Sequence, residues 1–283
     1  MIITEIGGYT VKMLDSNVWV FSKIIKNCKE LISYYEANED WVPWYTFGTM
    51  VSDSGPGMED VLEFPTQEAW DRDMLAKYKN DHDRYISQVF FDTTKLYTET
   101  LGIELPNWAT PNWGIAKYFP DNANMGDITM NFHADDQPER ADQPGLRAKV
   151  TAIMYLNEEY TGGEISYKIV KPGTISEIET TFAYKPEEGD VVVFPSGHPY
   201  YHGVANVHGA PKYMIRTYWK YKHEGTPEWH ALREKYGSEW EELEKIRCKA
   251  VVVEEPVLHP VVSIVDYYDI IERGETFDRF KSN

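Results

Sequence analysis

The sequence predicts an α+β fold: a double-stranded β-helix, or jelly roll, braced by N-terminal helices and followed by a helical or mixed C-terminal extension. Three observations point there. From Trp113 onward, short runs rich in Val, Ile, Thr, Tyr and Phe alternate with clusters of Gly, Pro, Asn and Asp, as many short strands in a sandwich or barrel require. Before Trp113 apolar residues recur at helical intervals, and after Tyr221 that period returns. The expected division is 1–112 as a support region, 113–221 as the core and 222–283 as the extension, integrated into one domain.

In chain order, Tyr9 to Leu14 reads as a first strand, and Asp15-Ser16-Asn17 offers side-chain oxygens suited to capping a helix. The helix expected next carries Val18, Phe21, Ile24, Ile25, Cys28, Leu31, Ile32 and Tyr35 on one stripe. Residues from Asn38 to Thr66 are rich in Gly, Pro, Asp and Trp and read as an irregular connection. A second helix is expected from Gln67 to Leu101, packed with the first against the outside of a sheet. Seven strands follow: Gly114 to Phe119, Ile128 to Ala134, Arg147 to Leu156, Glu164 to Val170, Glu179 to Tyr184, Asp190 to Phe194 and Lys212 to Tyr221. Asp136 to Arg147 is long, polar and Pro-containing, and is expected to form an irregular lid. Thr226-Pro227 starts a helix with Trp229, Leu232, Tyr236, Trp240 and Leu243 on one stripe, because Pro is tolerated in a first turn.

Composition excludes several function classes. A chain of 283 residues, 42% hydrophobic, can bury one large core and is too apolar to be disordered. Its 28 basic and 46 acidic residues give a formal charge of -18, which repels phosphate backbones and anionic bilayers, so neither nucleic acid nor membrane is expected as a partner. Two cysteines, Cys28 and Cys248, make no disulfide framework and no thiolate metal cluster, and a cytoplasmic location is expected. No run is apolar for long enough to span a bilayer or serve as a signal peptide.

Chemistry concentrates between Asn131 and Trp219. In Ile128-Thr129-Met130-Asn131-Phe132-His133-Ala134-Asp135, strand alternation sends His133 and Asp135 to one face, where imidazole and carboxylate can reach a single ion. Beyond the run ending at Phe194, a short loop holds His198 and His202, either of which could supply a second imidazole. Two imidazoles and a carboxylate with the remaining positions open form the facial triad of non-haem iron(II) sites. His208, His223, His230 and His259 read as surface residues.

Four features in order resemble the prolyl 4-hydroxylase type of iron(II)/2-oxoglutarate dioxygenase. They are Lys117-Tyr118-Phe119-Pro120; His133-Ala134-Asp135; Tyr155-Leu156-Asn157 with Thr161-Gly162-Gly163-Glu164; and Gly189-Asp190 to Phe194-Pro195-Ser196 with His202-Gly203-Val204 and Lys212-Tyr213. The resemblance covers Trp113 to Tyr221 and selects His202 over His198, because the family's His precedes Gly-Val and has a basic residue ten positions on. It implies His133, Asp135 and His202 as metal ligands, Lys212 on the distal carboxylate of 2-oxoglutarate, and Tyr155 and Tyr118 as supports. Lys212 stands where relatives commonly have Arg, and so presents a point charge instead of a bidentate fork. Arg216 shares the strand face of Lys212 and is expected to serve another anion: the iron-bound carboxylate of 2-oxoglutarate, an acidic substrate group, or a nearby Asp or Glu.

The resemblance implies Fe(II), 2-oxoglutarate and dioxygen, with ascorbate as an optional reductant, in hydroxylation of an unactivated C–H bond. The implied substrate is a prolyl residue of a peptide or protein, with small molecules as the other class. A jelly-roll binding module and a catalytically silent scaffold are the competing expectations. Succinate formation from 2-oxoglutarate on addition of iron(II) separates them.

Overall fold

The computed structural model describes residues 1–38, 41–44, 49–54, 81–103, 113–121, 128–136, 146–171, 177–197 and 199–222, and His230 and Glu234 besides. The 67–80 part of the second expected helix, most of the lid, His198 and the C-terminal helix lie outside these residues, apart from the helical His230 and Glu234.

Fifteen strands are present among the described residues: β1 (Ile2–Ile6), β2 (Tyr9–Asp15), β3 (Val18–Phe21), β4 (Val42–Trp44), β5 (Thr49–Ser54), β6 (Trp113–Tyr118), β7 (Ile128–His133), β8 (Leu146–Tyr155), β9 (Thr161–Gly162), β10 (Ile165–Val170), β11 (Ile178–Tyr184), β12 (Val191–Pro195), β13 (Tyr200–Ala205), β14 (Val207–His208) and β15 (Lys212–Lys222). Helix α1 covers Cys28–Asn38 and α2 covers Asp81–Leu101. All seven strands expected between Trp113 and Tyr221 form, with ends within one residue of expectation.

Two antiparallel sheets carry the architecture. The larger has the order β1-β2-β3-β12-β8-β15-β6-β5-β4, the smaller β11-β10-β13-β7, and β14 and β9 form a short ladder of their own. Period-two alternation sorts side chains between two cores. Val18, Val20, Ala116, Tyr118, Ile153, Tyr155, Val192, Phe194 and Met214 face the smaller sheet and meet its Ile165, Tyr167, Ile169 and Tyr200. The intervening Trp19, Phe21, Ile115, Ala152, Met154, Val191, Val193 and Ile215 face the other way and pack with Cys28, Leu31 and Tyr35 of α1 and Ile86, Phe90 and Tyr97 of α2. The larger sheet is thus covered on both faces. Each fully buried Val, Ile or Phe contributes about 1.5–3 kcal/mol relative to exposure.

Three expectations are corrected. Val18 to Phe21 is a strand, not the start of a helix, and Asp15-Ser16-Asn17 belongs to a hairpin turn in which the Asn17 amide donates to Asp15 Oδ1. Four consecutive β-branched or aromatic residues, buried between β2 and β12, suit a strand better than a helix, which begins only at Cys28. The connection after Asn38 contains a β4–β5 hairpin, with Pro43 tolerated because β4 is an edge strand. The N-terminal region therefore adds five strands to the sheet besides its helices. His202, expected in a loop, lies in β13, whose Pro199 and Gly203 read as loop signals although Tyr200, Tyr201 and Val204 are buried.

Asp190 closes the turn before β12. Fully buried, its carboxylate accepts from the backbone amides of Lys23 (3.0 Å) and Glu187 (3.0 Å) and from the Tyr184 hydroxyl (2.5 Å), tying the β3 end to β11. Asp190→Ala should cost about 3 kcal/mol or more, since each buried group left unpaired costs about 1–3 kcal/mol. The urea unfolding midpoint measures it.

Candidate metal and oxo-acid site

The smaller sheet brings the two imidazoles together. His133 at the end of β7 pairs in register with His202 of β13, and their ring centroids lie 4.4 Å apart. Simple alternation along β7 does not produce this. Met130 pairs with Val204 and packs into the inner core, so His133, three residues on, would face outward in a regular strand. An extra β7 residue, a β-bulge between the two pairs, turns His133 inward. His202 is buried against Phe194 and stands beside Tyr167, its partner across β10.

Asp135 follows directly on the segment leaving β7. Its Oδ1 lies 3.3 Å from His133 Nε2 and its Oδ2 3.5 Å from His202 Nε2. One ligand atom from each of the three residues falls within 4.8 Å of the others. Burial pushes the Asp135 carboxyl up, but His202, His133 and the Thr151 hydroxyl outweigh it and hold the group at about 2. Burial pushes the His202 imidazole down to about 4 against the opposing pull of Asp135. At neutral pH the site thus offers an ionised carboxylate and a neutral imidazole, the protonation states that metal binding requires.

The larger sheet supplies a second polar locus. Lys212 of β15 is completely buried, lies opposite Tyr118 of β6, and has its Nζ 4.9 Å from the Tyr155 ring centroid, 5.6 Å from that of Tyr160 and 5.8 Å from that of Tyr118. It donates to Gly163 O at 2.6 Å, and among the described residues no carboxylate lies within ion-pair distance. Burial, with Lys185 adding and Glu164 opposing, lowers this ammonium to about 7. The hydroxyls of Tyr118, Tyr160 and Tyr167 are buried without a hydrogen-bond partner among the described residues. A cation and unfilled hydroxyls in one layer fit the carboxylate of a small oxo acid, because a buried charge needs a paired, hydrogen-bonded counter-charge.

The turn after β8 shapes that locus. Lys185 Nζ donates to the carbonyls of Tyr160 (2.9 Å) and Gly162 (2.6 Å), while Lys212 takes Gly163. Gly162 has a φ of +67°, and a Cβ there would lie 2.0 Å from Asn206 O, so only glycine fits.

Of the residues picked out from sequence, Tyr118, Tyr155, Lys212 and Arg216 all lie on inward-facing positions of the larger sheet, where Lys212 pairs with Tyr118, Met214 with Tyr155, and Arg216 with Gly114 and Ile153. Asp135 acts electrostatically on both Tyr118 and Tyr167, and Arg216 on Tyr118, so the acidic and cationic loci share one interior. His208, read as a surface residue, is exposed and contacts Asp121 at 2.7 Å. Sequence reading missed Thr151, Ser196, Tyr160, Tyr167 and Lys185. For Thr151 and Ser196 a signal existed: they share strand parity with inward-facing Tyr155 and Phe194.

Comparison with known proteins decides the family. Residues 117–220 match the model of the 2OG-Fe(II) oxygenase superfamily, a span that contains Tyr118, His133, Asp135, Tyr155, His202, Lys212 and Arg216. This region belongs to the 2OG-Fe(II) oxygenase superfamily. That match and the His-Asp-His cluster inside it support an oxygenase that uses iron(II), 2-oxoglutarate and dioxygen. Similar solved structures include a Pseudomonas putida prolyl-4-hydroxylase, with 18% identity, 72% of this chain and 92% of that one covered, and a TM-score of 0.46. A viral collagen prolyl hydroxylase from Paramecium Bursaria Chlorella virus-1, in a 2OG complex, shows 12% identity over 73% of this chain and 96% of that one, with a TM-score of 0.46. A Trichoplax adhaerens prolyl hydroxylase, in complex with a hypoxia inducible factor peptide fragment, shows 13% identity over 72% and 83%, with a TM-score of 0.44. No curated protein matches. Among the described residues no helix is long and apolar enough to cross a membrane.

Proposed function

We propose that this oxygenase hydroxylates an unactivated C–H bond, with a prolyl residue of a peptide or protein as the first substrate to test and small molecules as the second class. The observation that carries the reading is the pairing of a His-Asp-His cluster with a buried lysine that lacks a carboxylate partner among the described residues, inside one sandwich. In this reading His133, Asp135 and His202 hold iron(II), and Lys212 takes the distal carboxylate of 2-oxoglutarate, with Tyr155 and Tyr118 beside it. Bound iron(II) supplies the decarboxylation of 2-oxoglutarate to succinate and carbon dioxide and the transfer of one oxygen atom of O2 to the substrate.

The protein's own part is to bind, orient and keep water out. Asp135 and the two imidazoles would hold the metal as three protein ligands and would leave its other positions for the oxo acid and dioxygen. Lys212 anchors the oxo acid at its far end, so its keto end is directed by the length of the molecule. The tyrosine layer excludes water, which strengthens the lysine–carboxylate attraction. Residues 113–221 are the catalytic core in this reading, with 1–112 as support and 222–283 as an extension. A chain with two cysteines suits a cytoplasmic site of action.

Succinate released on adding iron(II) and 2-oxoglutarate without substrate tests the activity, and a panel of prolyl peptides scored by a mass gain of one oxygen tests the substrate. No uncoupled succinate and no oxygenated peptide would defeat the proposal. The lysine also predicts a pH dependence. Its folded-state value of about 7 lies below the ordinary 10.5, so the cation is present below pH 7 and is lost as pH rises through it. The kcat/KM for 2-oxoglutarate should therefore fall on the alkaline side, about tenfold per pH unit once the free enzyme's essential acid titrates. Because the unfolded chain retains this proton up to about 10.5, the lysine's contribution to the stability of the ligand-free protein should rise between those values.

A further inference from the structure

The environment of Asp135 contains a feature that metal ligation alone does not use. Thr151 Oγ1 donates to Asp135 Oδ2 at 2.8 Å, and the same oxygen lies 2.8 Å from Ser196 Oγ. Thr151 and Ser196 are 1% and 0% exposed, so water does not compete for either hydroxyl. Thr151 sits mid-strand in β8, paired with Phe194 of β12 and Tyr218 of β15, and cannot drift without breaking the sheet.

We propose that Ser196 and Thr151 form a two-hydroxyl relay that positions the Asp135 carboxylate for the metal; this rests on the reading of His133, Asp135 and His202 as the ligands. Chemistry sets the direction of the relay. A ligating carboxylate is ionised and only accepts hydrogen bonds, and a threonine hydroxyl has one proton to give. That proton goes to Asp135 Oδ2, so the Thr151 oxygen accepts from Ser196. Two hydroxyls in series polarise one another and strengthen the bond to the carboxylate.

Backbone contacts hold the same unit from the other side. The Asp136 amide donates to Ser196 O at 2.9 Å, the Ser196 amide to Lys149 O at 3.1 Å, and the Ala148 amide to Asp136 Oδ1 at 3.1 Å. A Cβ at Gly197 would come within 3.3 Å of the Asp136 side chain, so the strand end and the ligand segment lie in close contact. Ser196 thus locks the ligand segment twice, through its carbonyl and through Thr151. The relay bears on a carboxylate already 3.3 and 3.5 Å from the two imidazole nitrogens and fixes its plane there.

The test is anaerobic titration of the metal-free full-length protein with Co(II), read by its visible d–d absorption, for wild type, Thr151→Val, Thr151→Ser and Ser196→Ala, with Asp135→Ala as the baseline. Thr151→Val preserves shape and removes the hydroxyl, and should weaken Co(II) binding about 10–100-fold, the range for lost outer-sphere partners. Its d–d band should shift, Ser196→Ala should lose less, and Thr151→Ser should restore wild-type affinity and spectrum, a rescue that a purely structural role for the threonine methyl would not give. Thr151→Val binding Co(II) as tightly as wild type, with an unchanged spectrum, overturns the relay. If Thr151→Val does not fold, an unchanged dissociation constant and spectrum in Ser196→Ala overturn it instead. No saturable signal above the Asp135→Ala baseline in wild type would defeat the ligand assignment itself, a result distinct from failure of the relay.

Discussion

Asp135→Ala should abolish iron-dependent succinate formation while the far-UV circular dichroism stays that of wild type. The loss should exceed about 100-fold, because that is the upper range for removing a mere outer-sphere partner and Asp135 supplies the only anionic ligand of the proposed set. The side chain removed is small and most of its partners are the other ligands and Thr151, so the two cores keep their packing. His133→Ala should behave alike. His202→Ala additionally empties the space beside Phe194 and Tyr167, so it should also lower the melting temperature. His198→Ala should remain active. Full activity in His202→Ala with loss in His198→Ala would assign the third ligand to His198.

Lys212→Ala should raise the Michaelis constant for 2-oxoglutarate more than it lowers kcat. Truncating one partner of a buried, hydrogen-bonded charge pair costs about 2–5 kcal/mol, and at 1.4 kcal/mol per decade that is roughly 30-fold or more. Lys212→Arg should not rescue fully, because the planar fork must fit among Tyr118, Tyr155 and Tyr160, which surround a compact ammonium. Arg216, two inward positions further along β15 and opposite Ile153 and Gly114, is predicted to act on a different anion. Its replacement by Ala should leave the Michaelis constant for 2-oxoglutarate nearer wild type and reduce the hydroxylated product formed per succinate. Equal losses in both variants, in step with a lowered melting temperature, would reduce Arg216 to a structural residue.

Much of this was legible because strand parity is a strong constraint. Tyr118, Tyr155 and Lys212 were reached through the family resemblance, Arg216 followed from sharing the strand face of Lys212, and all four lie on the inner faces of β6, β8 and β15. What escaped depends on departures from regularity. The bulge that aims His133 is a single extra residue in β7, and alternation reached the right pairing of His133 with Asp135 by a geometry the strand does not have. Val18 to Phe21 has spacings compatible with a helix, and only its pairing with β2 and β12, a tertiary contact, decides for strand. His202 lies between a Pro and a Gly that locally speak for a loop, whereas pairing with β10 and β7 makes it a strand residue. Thr151 and Ser196 look like ordinary strand polar residues until a carboxylate from a distant segment arrives beside them.

The place of β3 in the larger sheet carries a consequence for how the protein is made. Val18 to Phe21 is buried on both faces, yet the strand that completes its pairing is β12, with Phe21 opposite Val191. During synthesis at about 5–20 residues per second, the N-terminal hairpin emerges many seconds before that partner exists. It waits with Val18 and Val20, whose partners in the smaller sheet come later in the chain, uncovered and one ladder edge open, the condition under which nascent chains associate with one another. Sheet closure needs contacts of very long sequence separation, so the chain should fold slowly and late. The strand that finally seals the hairpin is followed directly by Ser196, so the same event that relieves the exposed edge brings the Asp135 segment to its supports. Metal capture in the cell is then a test of completed synthesis: a truncated or stalled chain lacks the closing strand and should present His133 and Asp135 without the groups that hold them.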